Sequence, residues 1–376
     1  MAKNPAFALQ EAGTAVWLDQ LSREIIESGQ LAAYIDDAAM SGVTSNPAIF
    51  HSAMTSGTAY DAQLKELAGS SRNTEQLYEE LAVRDIQMAC DVLRTVYDRT
   101  GGADGFVSLE VSPHLARDTE GTYAAAKRLH AWVDRPNLMI KIPGTDEGLP
   151  AIRRCLEDGV PINVTLLFSR DAYEAVAKAY VDAIAARAEK GLSLDVASVA
   201  SFFVSRIDSL VDKKLEDAAA KAEESAREEI LALRGKAAVY NAKLAYQSYL
   251  EIFGSETWKR LEGQGARVQR PLWASTSTKN PSYPDILYVE TLVGRHTVNT
   301  MPVQTLEATL DHGKIEKDTV LLEVDEARKF FLDLEAAGIS FDQATSELLD
   351  DGIAKFDKPY DDLLAALESK RAKMTH

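Results

Sequence analysis

The sequence is poor in cysteine and has no long hydrophobic run. Its 376 residues include only two cysteines, Cys90 and Cys155, which excludes the disulfide framework of small secreted domains. We expect both to be buried, reduced thiols, because neither lies in a recognisable motif. No stretch of about 18 apolar residues occurs, and the first residues lack a charged segment followed by an apolar core. These absences predict a cytoplasmic protein that does not associate with membranes.

Positive charge is also scarce. Lysine and arginine number 41 against 58 acidic residues, for a net charge of −17. This balance argues against binding to nucleic acid or anionic lipid, which requires clustered basic residues. A small anionic substrate is compatible with it only if a local basic pocket acts against the overall field.

The common cofactor and metal motifs are missing. No strand candidate is followed by G-x-G-x-x-G, and neither a P-loop nor a G-x-S-x-G elbow occurs. The histidines show no H-E-x-x-H or H-x-H pairing; they are His51, His114, His130, His296, His312 and His376. The sequence therefore predicts no metal and no nucleotide cofactor.

Short apolar, β-branched runs alternate with longer segments of helical periodicity. The eight strand candidates are residues 15–19, 42–46, 105–111, 138–143, 160–168, 195–204, 271–277 and 287–294. Eight strands alternating with helices favour a (β/α)8 TIM barrel, with a doubly wound open sheet as the alternative. Residues 206–262 predict a helical insertion before the seventh strand, and residues 303–376 predict extra C-terminal helices.

Domain organisation and assembly are less constrained. Without a Pro/Ser-rich linker or a repeat of fixed period, we expect residues 1–376 to form a single domain. The oligomeric state stays open: a homodimer is compatible with the sequence, and the 206–262 helices are one candidate interface.

One lysine lies inside a run that otherwise has the composition of a buried strand. In LMIKIPGT (138–145), Leu138, Ile140 and Ile142 share one face, so Lys141 points to the other, inward face. The same alternation turns polar residues inward near the C-terminal ends of the first five strands: Asp19, Thr44, Asn46, Glu110, Lys141, Asn163 and Thr165. Barrel enzymes place their active sites at this end.

The inward residues define a chemistry. A lysine beside carboxylates is the composition of a Schiff-base site with acid–base partners. For Lys141 alone, a catalytic role has two structural alternatives of equal weight: a buried ion pair with Glu110 or Asp19, or a wrongly assigned strand face. Because polar residues converge from five strands, the catalytic interpretation is favoured. We expect Glu110 and Asp19 to act through water or substrate hydroxyls, because a carboxylate in contact with the amine would hold it in its charged form.

At this point the chain resembles the transaldolase family over essentially its full length. The most specific matches are SGVTSNPAIF (41–50), MIKIPGTDEG (139–148) and PINVTLLFS (161–169). The resemblance implies a permuted class I aldolase barrel of the non-oxidative pentose phosphate pathway, without cofactor or metal. It would transfer a dihydroxyacetone unit from a ketose phosphate (sedoheptulose 7-phosphate or fructose 6-phosphate) to an aldose phosphate (glyceraldehyde 3-phosphate or erythrose 4-phosphate).

The resemblance also implies roles for individual residues. Lys141 would form the Schiff base with C2 of the ketose. Asp19 would take the C4 hydroxyl proton as the C3–C4 bond breaks. Glu110 and Thr165 would handle a catalytic water. The residues implied to bind the three-carbon unit, shape the pocket or face the phosphate are Thr44, Asn46, Asn163, Ser201, Phe203 and Arg206.

The seventh strand departs from the family pattern. Many transaldolases end this strand with Ala-Ser-x-Arg, where the arginine also binds phosphate, whereas this chain reads Ala274-Ser-Thr-Ser-Thr-Lys279. Ser275 matches the serine. Lys279 is the candidate for the missing positive charge, with a plain surface lysine as the equal alternative. Arg295, after the eighth strand candidate, is expected to lie at the surface.

Two other functions stay open. Fructose-6-phosphate aldolases resemble this chain in their barrel and in the position of the lysine. They are much shorter, and they have glutamine and tyrosine at the positions of Glu110 and Phe203. Those two residues therefore favour transfer over simple cleavage. A barrel that has lost catalysis and only binds sugar phosphates or a partner is the third alternative, which the complete inward set disfavours.

Overall fold

The computed structural model describes residues 4–374, which leaves His376 and the extreme N-terminus outside it. Eight parallel strands follow one another around a closed barrel in chain order: β1 (Thr14–Leu18), β2 (Met40–Val43), β3 (Phe106–Glu110), β4 (Leu138–Pro143), β5 (Ile162–Leu167), β6 (Ser198–Phe203), β7 (Arg270–Ala274) and β8 (Thr297–Met301). β1 pairs with both β2 and β8. The predicted barrel is thus confirmed, and the open sheet is excluded.

Helices surround the barrel and extend beyond it. They are α1 (Pro5–Ala12), α2 (Arg23–Glu27), α3 (Gln30–Asp37), α4 (Pro47–Thr55), α5 (Asp61–Ala68), α6 (Thr74–Arg99), α7 (Thr119–Val133), α8 (Gly148–Glu157), α9 (Arg170–Glu189), α10 (Ser205–Ala219), α11 (Glu224–Leu231), α12 (Ala237–Phe253), α13 (Glu256–Glu262), α14 (Leu287–Glu290), α15 (Val303–His312), α16 (Val324–Ala336) and α17 (Phe341–Met374). Helices α10–α13 form the predicted insertion before β7, and α15–α17 are the predicted C-terminal helices.

The eighth strand was wrongly predicted at residues 287–294. Part of that segment is helix α14, and the strand lies further on, at Thr297–Met301. The segment is as apolar and buried as a strand would be, because Tyr288, Val289 and neighbouring residues pack into the core. The true strand, TVNTM, was missed because its polar residues resemble a loop. Its threonines find partners in the fold: the Thr297 hydroxyl lies 2.9 Å from that of Thr14, and the Thr300 hydroxyl lies 2.7 Å from that of Thr44.

Because β8 begins at Thr297, Arg295 lies at the N-terminal end of the barrel. The predicted site lies at the C-terminal end. Arg295 precedes β8 and lies beside Gly13, where an added Cβ would come within 2.8 Å of the Arg295 Cα. Gly13 also has a φ of 97°, a conformation that side chains other than glycine rarely adopt. Arg295 therefore contributes to the base of the barrel, away from its C-terminal face.

Two tryptophans on the barrel strands are part of the core. Trp17 and Trp273 are completely buried, and their indole N–H groups donate to Asp104 and to the Leu292 carbonyl oxygen, each at 2.9 Å. Cys90 and Cys155 are free and buried, as predicted. Within residues 4–374, no helix is long and apolar enough to cross a membrane.

Candidate active site

Strand register brings the central residues of the site side by side. Glu110 on β3 is paired with Lys141 on β4, which is in turn paired with Asn163 on β5. Thr165 lies one inward position closer to the C-terminal end of β5, paired with Pro143. The alternation of faces read from the sequence thus places these polar side chains at the C-terminal half of neighbouring strands, where parallel barrels hold their sites.

Lys141 is held in an almost fully buried position, with only 4% of its surface exposed. Its Nζ donates to the Ser45 carbonyl oxygen at 3.2 Å and lies 3.4 Å from Glu110 Oε2. The expectation that no carboxylate would contact the amine is therefore wrong for Glu110. The distance exceeds the roughly 2.7–2.9 Å of a tight charge-assisted hydrogen bond, so the contact is loose enough to exchange for water or substrate.

Glu110 is positioned to gain and lose a proton near neutrality. Burial raises the pKa of its carboxyl to about 7, against the opposing effect of Lys141, which lowers it. Among the described residues, neither Glu110 carboxyl oxygen nor the buried Thr165 hydroxyl has a hydrogen-bond partner of good geometry. Buried polar atoms without partners are unusual and indicate a bound water or ligand group. Thr165 is followed by Leu166, whose φ of 60° interrupts the register of β5.

Asp19 follows β1 on the other side of the cavity. Its Oδ1 accepts a hydrogen bond from the Thr44 hydroxyl at 2.7 Å, and that hydroxyl also lies 2.7 Å from Thr300 Oγ1. Burial raises the pKa of Asp19, while the charge of Lys141 and the Thr44 hydrogen bond act in the opposite direction. A partly buried carboxylate with a raised pKa is suited to accept a proton from a substrate hydroxyl.

These groups surround one cavity of about 120 Å³ at the C-terminal end of the barrel. It is lined by Asp19, Thr44, Asn46, Lys141, Thr165, Ser201, Phe203, Arg206, Ala274, Ser275, Ser277, Lys279, Thr300, Pro302 and Phe356. A larger cavity of about 550 Å³ lies among α9, α12, α16 and the start of α17. It contains no residue of a barrel strand and none of the chemistry described above, so the smaller cavity is the candidate site.

Two of the predicted residues lie behind the cavity wall. Asn163 is fully buried, donates to Ser108 Oγ at 3.0 Å and accepts from Ser201 Oγ at 2.7 Å. Its direct contact with substrate stays a prediction, and its observed contacts orient Ser201. Glu110 is the second residue behind the wall: it does not line the cavity itself, but its carboxyl lies beside the Lys141 amine, which does. The Asn46 side chain caps α4 by accepting from the Ile49 amide at 3.0 Å, which leaves its NH₂ group for the cavity.

The opposite end of the cavity is basic. Arg206, at the start of α10, has a buried Nη1 atom with no partner among residues 4–374. Burial lowers the pKa of Arg206. Lys279 lines the same wall with an exposed side chain, and partial desolvation and the charge of Arg206 both lower its pKa. Two cations close together, one with a buried and unpaired nitrogen, favour an anion between them. Lys279 thus lines the cavity with an exposed side chain, and its contact with phosphate stays a prediction.

Five cavity residues were not among the predicted site residues: Ala274, Ser277, Thr300, Pro302 and Phe356. Thr300 and Pro302 were missed because the eighth strand was predicted at the wrong place. The run TVNTMP before helix α15 was the signal that could have identified them. Ser277 follows Ser275, whose φ of 57° redirects the chain after β7. Phe356 comes from α17, and nothing in the local sequence indicates that this helix reaches the cavity.

The donor set offers no metal site within the described part of the chain, where no group of three or more His, Cys, Asp or Glu residues is arranged to hold a cation. The reacting groups present are the amine of Lys141, the carboxyls of Asp19 and Glu110, and several hydroxyls. Such a set supports amine-based covalent chemistry with proton transfer.

Comparison with known proteins agrees with a lysine-based aldolase barrel. The family model described as transaldolase/fructose-6-phosphate aldolase matches residues 16–367. A transaldolase of Thermobifida fusca is 48% identical over 373 residues, covering 99% of this chain and all of the relative. A transaldolase of Trichodesmium erythraeum is 44% identical over 379 residues and covers both chains completely. The chain belongs to the transaldolase/fructose-6-phosphate aldolase family.

Proposed function

We propose that this protein is a transaldolase that moves a dihydroxyacetone unit from a ketose phosphate to an aldose phosphate. The donor would be sedoheptulose 7-phosphate or fructose 6-phosphate, and the acceptor glyceraldehyde 3-phosphate or erythrose 4-phosphate, as in the non-oxidative pentose phosphate pathway. The observation that carries this proposal is the buried Lys141 amine, flanked by Glu110 and facing a cavity that is also lined by the cations Arg206 and Lys279.

The reaction begins at Lys141. Its neutral amine attacks C2 of the ketose, and the resulting carbinolamine loses its hydroxyl as water to give a protonated imine. Glu110 lies 3.4 Å from the amine and can accept its proton. The Thr165 hydroxyl, which has no partner among the described residues, can hold the departing water.

Cleavage requires a base at the substrate's C4 hydroxyl. Asp19 takes that proton as the C3–C4 bond breaks, and the bonding electrons pass into the protonated imine, which becomes an enamine. The aldose fragment leaves and the three-carbon unit stays on Lys141. Thr44, Asn46 and Ser201 are the candidates to hydrogen-bond its hydroxyls. The steps then run in reverse with the acceptor aldehyde.

The pH dependence should report on Glu110. We expect kcat/KM to fall as pH decreases through about 7, because the raised pKa leaves the carboxyl protonated below that value and unable to accept a proton. Glu110→Gln cannot ionise, so it should lose this acidic limb and about 10²-fold in kcat. Rate measurements across the pH range for both proteins test this. Asp208→Asn is the matched control, since Asp208 is a buried carboxyl outside the cavity whose pKa is also raised, to about 6. An unchanged limb in Glu110→Gln would contradict the assignment.

The basic end of the cavity should select phosphorylated substrates. We expect Arg206→Ala to raise KM for fructose 6-phosphate by about 10²-fold, since a charge-assisted contact to phosphate is lost. Lys279→Ala should have a smaller effect in the same direction. Turnover of unphosphorylated fructose should change much less. Steady-state kinetics with both donors measure this, with the exposed Lys236→Ala as control. Equal losses with both donors would contradict a phosphate site.

Transfer must be distinguished from simple cleavage. Glu110 and Phe203 favour transfer, since the shorter aldolases resemble this barrel with glutamine and tyrosine there. The experiment supplies fructose 6-phosphate with and without erythrose 4-phosphate and measures sedoheptulose 7-phosphate and free dihydroxyacetone. Transfer predicts product only with the acceptor and little free dihydroxyacetone. Rapid dihydroxyacetone release without acceptor would identify a fructose-6-phosphate aldolase, and binding without turnover a non-catalytic barrel.

We also propose a cytoplasmic, single-domain enzyme over residues 1–376, compatible with a homodimer. The two free, buried cysteines suit a reducing compartment. Light scattering of the purified protein measures the mass in solution, and a monomer's mass at micromolar concentration would exclude a stable dimer.

A further inference from the structure

The C-terminal helix α17 contributes one aromatic side chain to the cavity. Phe356 is 6% exposed and lines the cavity together with Lys141. The Lys141 Nζ lies 5.5 Å from the centre of the Phe356 ring, within the range of a cation–π contact. The amine thus has a carboxylate, a backbone carbonyl and an aromatic face around it.

The packing of α17 fixes the height of this ring above the amine. Gly352 lies one turn before Phe356, on the same helical face. A Cβ added there would come within 3.1 Å of Leu166 Cδ2, closer than nine in ten real Cβ contacts. Leu166 directly follows Thr165. The missing side chain at Gly352 therefore lets the helix lie against the C-terminal end of β5, beside the reacting groups.

The helix is anchored on the other side of Phe356 as well. One turn further on, the Tyr360 hydroxyl donates to Glu75 at 2.9 Å, and its ring packs edge-on against Tyr78 and His114. Leu363 continues the same buried face. Contacts on both sides hold Phe356 in place, so its ring is a fixed wall of the cavity.

We propose that Phe356 keeps the three-carbon unit on Lys141 until an acceptor arrives, which makes it a determinant of transfer over release. This rests on the proposed function. Premature release requires two steps: the enamine takes a proton from solvent at C3, and water then adds to C2, so that the C–N bond breaks and dihydroxyacetone and the free amine form. A phenyl ring has no exchangeable proton and excludes solvent. On the Phe356 side of Lys141, neither the proton needed at C3 nor the water needed at C2 is therefore present.

The ring has a second effect through its charge distribution. Its negative face stabilises a cation at the lysine nitrogen without accepting a proton from it. The same position carries positive charge in the protonated imine, which is the species that draws electrons from the breaking C3–C4 bond. Loss of the aromatic face should therefore slow cleavage even when an apolar side chain still excludes water.

Three substitutions separate these effects. Phe356→Leu keeps an apolar cover but removes the aromatic face. Its kcat for transfer should fall about tenfold, while the ratio of released to transferred dihydroxyacetone should change little. Phe356→Ala opens the cover, so that ratio should rise about tenfold or more. Phe356→Tyr places a proton donor in the wall and should also raise the ratio.

Leu363→Ala is the matched control for lost packing on the same face of α17. It should lower the thermal unfolding temperature and leave the ratio at the wild-type value. The measurement is free dihydroxyacetone and sedoheptulose 7-phosphate formed from fructose 6-phosphate, with and without erythrose 4-phosphate, on variants shown to be folded by circular dichroism. A wild-type ratio in folded Phe356→Ala and Phe356→Tyr would overturn the proposal. Absence of transfer by the wild-type protein would instead refute the proposed function.

Discussion

Replacing Lys141 by alanine is expected to lower kcat for transfer by about 10⁴-fold or more, because it removes the primary amine that lies beside Glu110. The described cavity holds one other lysine, Lys279, at the end occupied by Arg206. The expected residual activity is that of a folded protein that binds the donor without activating its C2 carbonyl.

The variant should remain folded, which makes this loss interpretable. Removing Lys141 leaves Glu110 buried without its cationic neighbour, a costly arrangement if the carboxylate stays ionised. Because burial already raises the Glu110 pKa to about 7, the carboxyl can take up a proton and become neutral. Lys141→Arg is the companion variant, since it keeps a positive charge without a nucleophilic primary amine. Turnover at the wild-type level in either folded variant would falsify the Schiff-base assignment.

Asp19→Asn is expected to have the next largest effect, a loss of about 10²–10⁴-fold in kcat. The amide oxygen of asparagine can still accept the hydrogen bond from Thr44, so the geometry should persist while the base is lost. Condensation at Lys141 does not depend on Asp19. The variant should therefore accumulate a six-carbon imine with fructose 6-phosphate, where the wild-type protein holds a three-carbon unit.

The control for Asp19→Asn is Asp104→Asn. Asp104 is a partly buried carboxylate near the N-terminal end of the barrel, where it accepts from Trp17 Nε1 and pairs with Arg270. Its loss should reduce the free energy of unfolding and leave kcat within a small factor of the wild type. Three-carbon adducts at the normal rate in Asp19→Asn would show that another group removes the C4 proton.

Much of the site was predictable because it depends on local alternation. A strand has a period of two, so the apolar face of Leu138, Ile140 and Ile142 alone determines that Lys141 points inward. The same rule placed Glu110 and Thr165. Parallel neighbours with similar register then bring these side chains together, which the fold class implies without any further information.

The eighth strand shows where such reasoning fails. The sequence segment 287–294 has strand composition, yet it packs as a helical turn in the core, while the polar run Thr297–Met301 forms the strand. The Thr297 and Thr300 hydroxyls find partners in those of Thr14 and Thr44, so polarity does not exclude burial. The position of Phe356 was equally inaccessible, because it depends on the long-range docking of α17.

Reductive trapping tests the central claim most directly. The protein is mixed with fructose 6-phosphate, reduced with borohydride, digested and analysed by mass spectrometry, with Lys141→Ala treated in parallel. The proposed mechanism predicts a three-carbon adduct on the peptide that contains Lys141 and none in the variant. An adduct on Lys279, or full transfer activity with no adduct on either lysine, would contradict the assignment of Lys141 as the nucleophile.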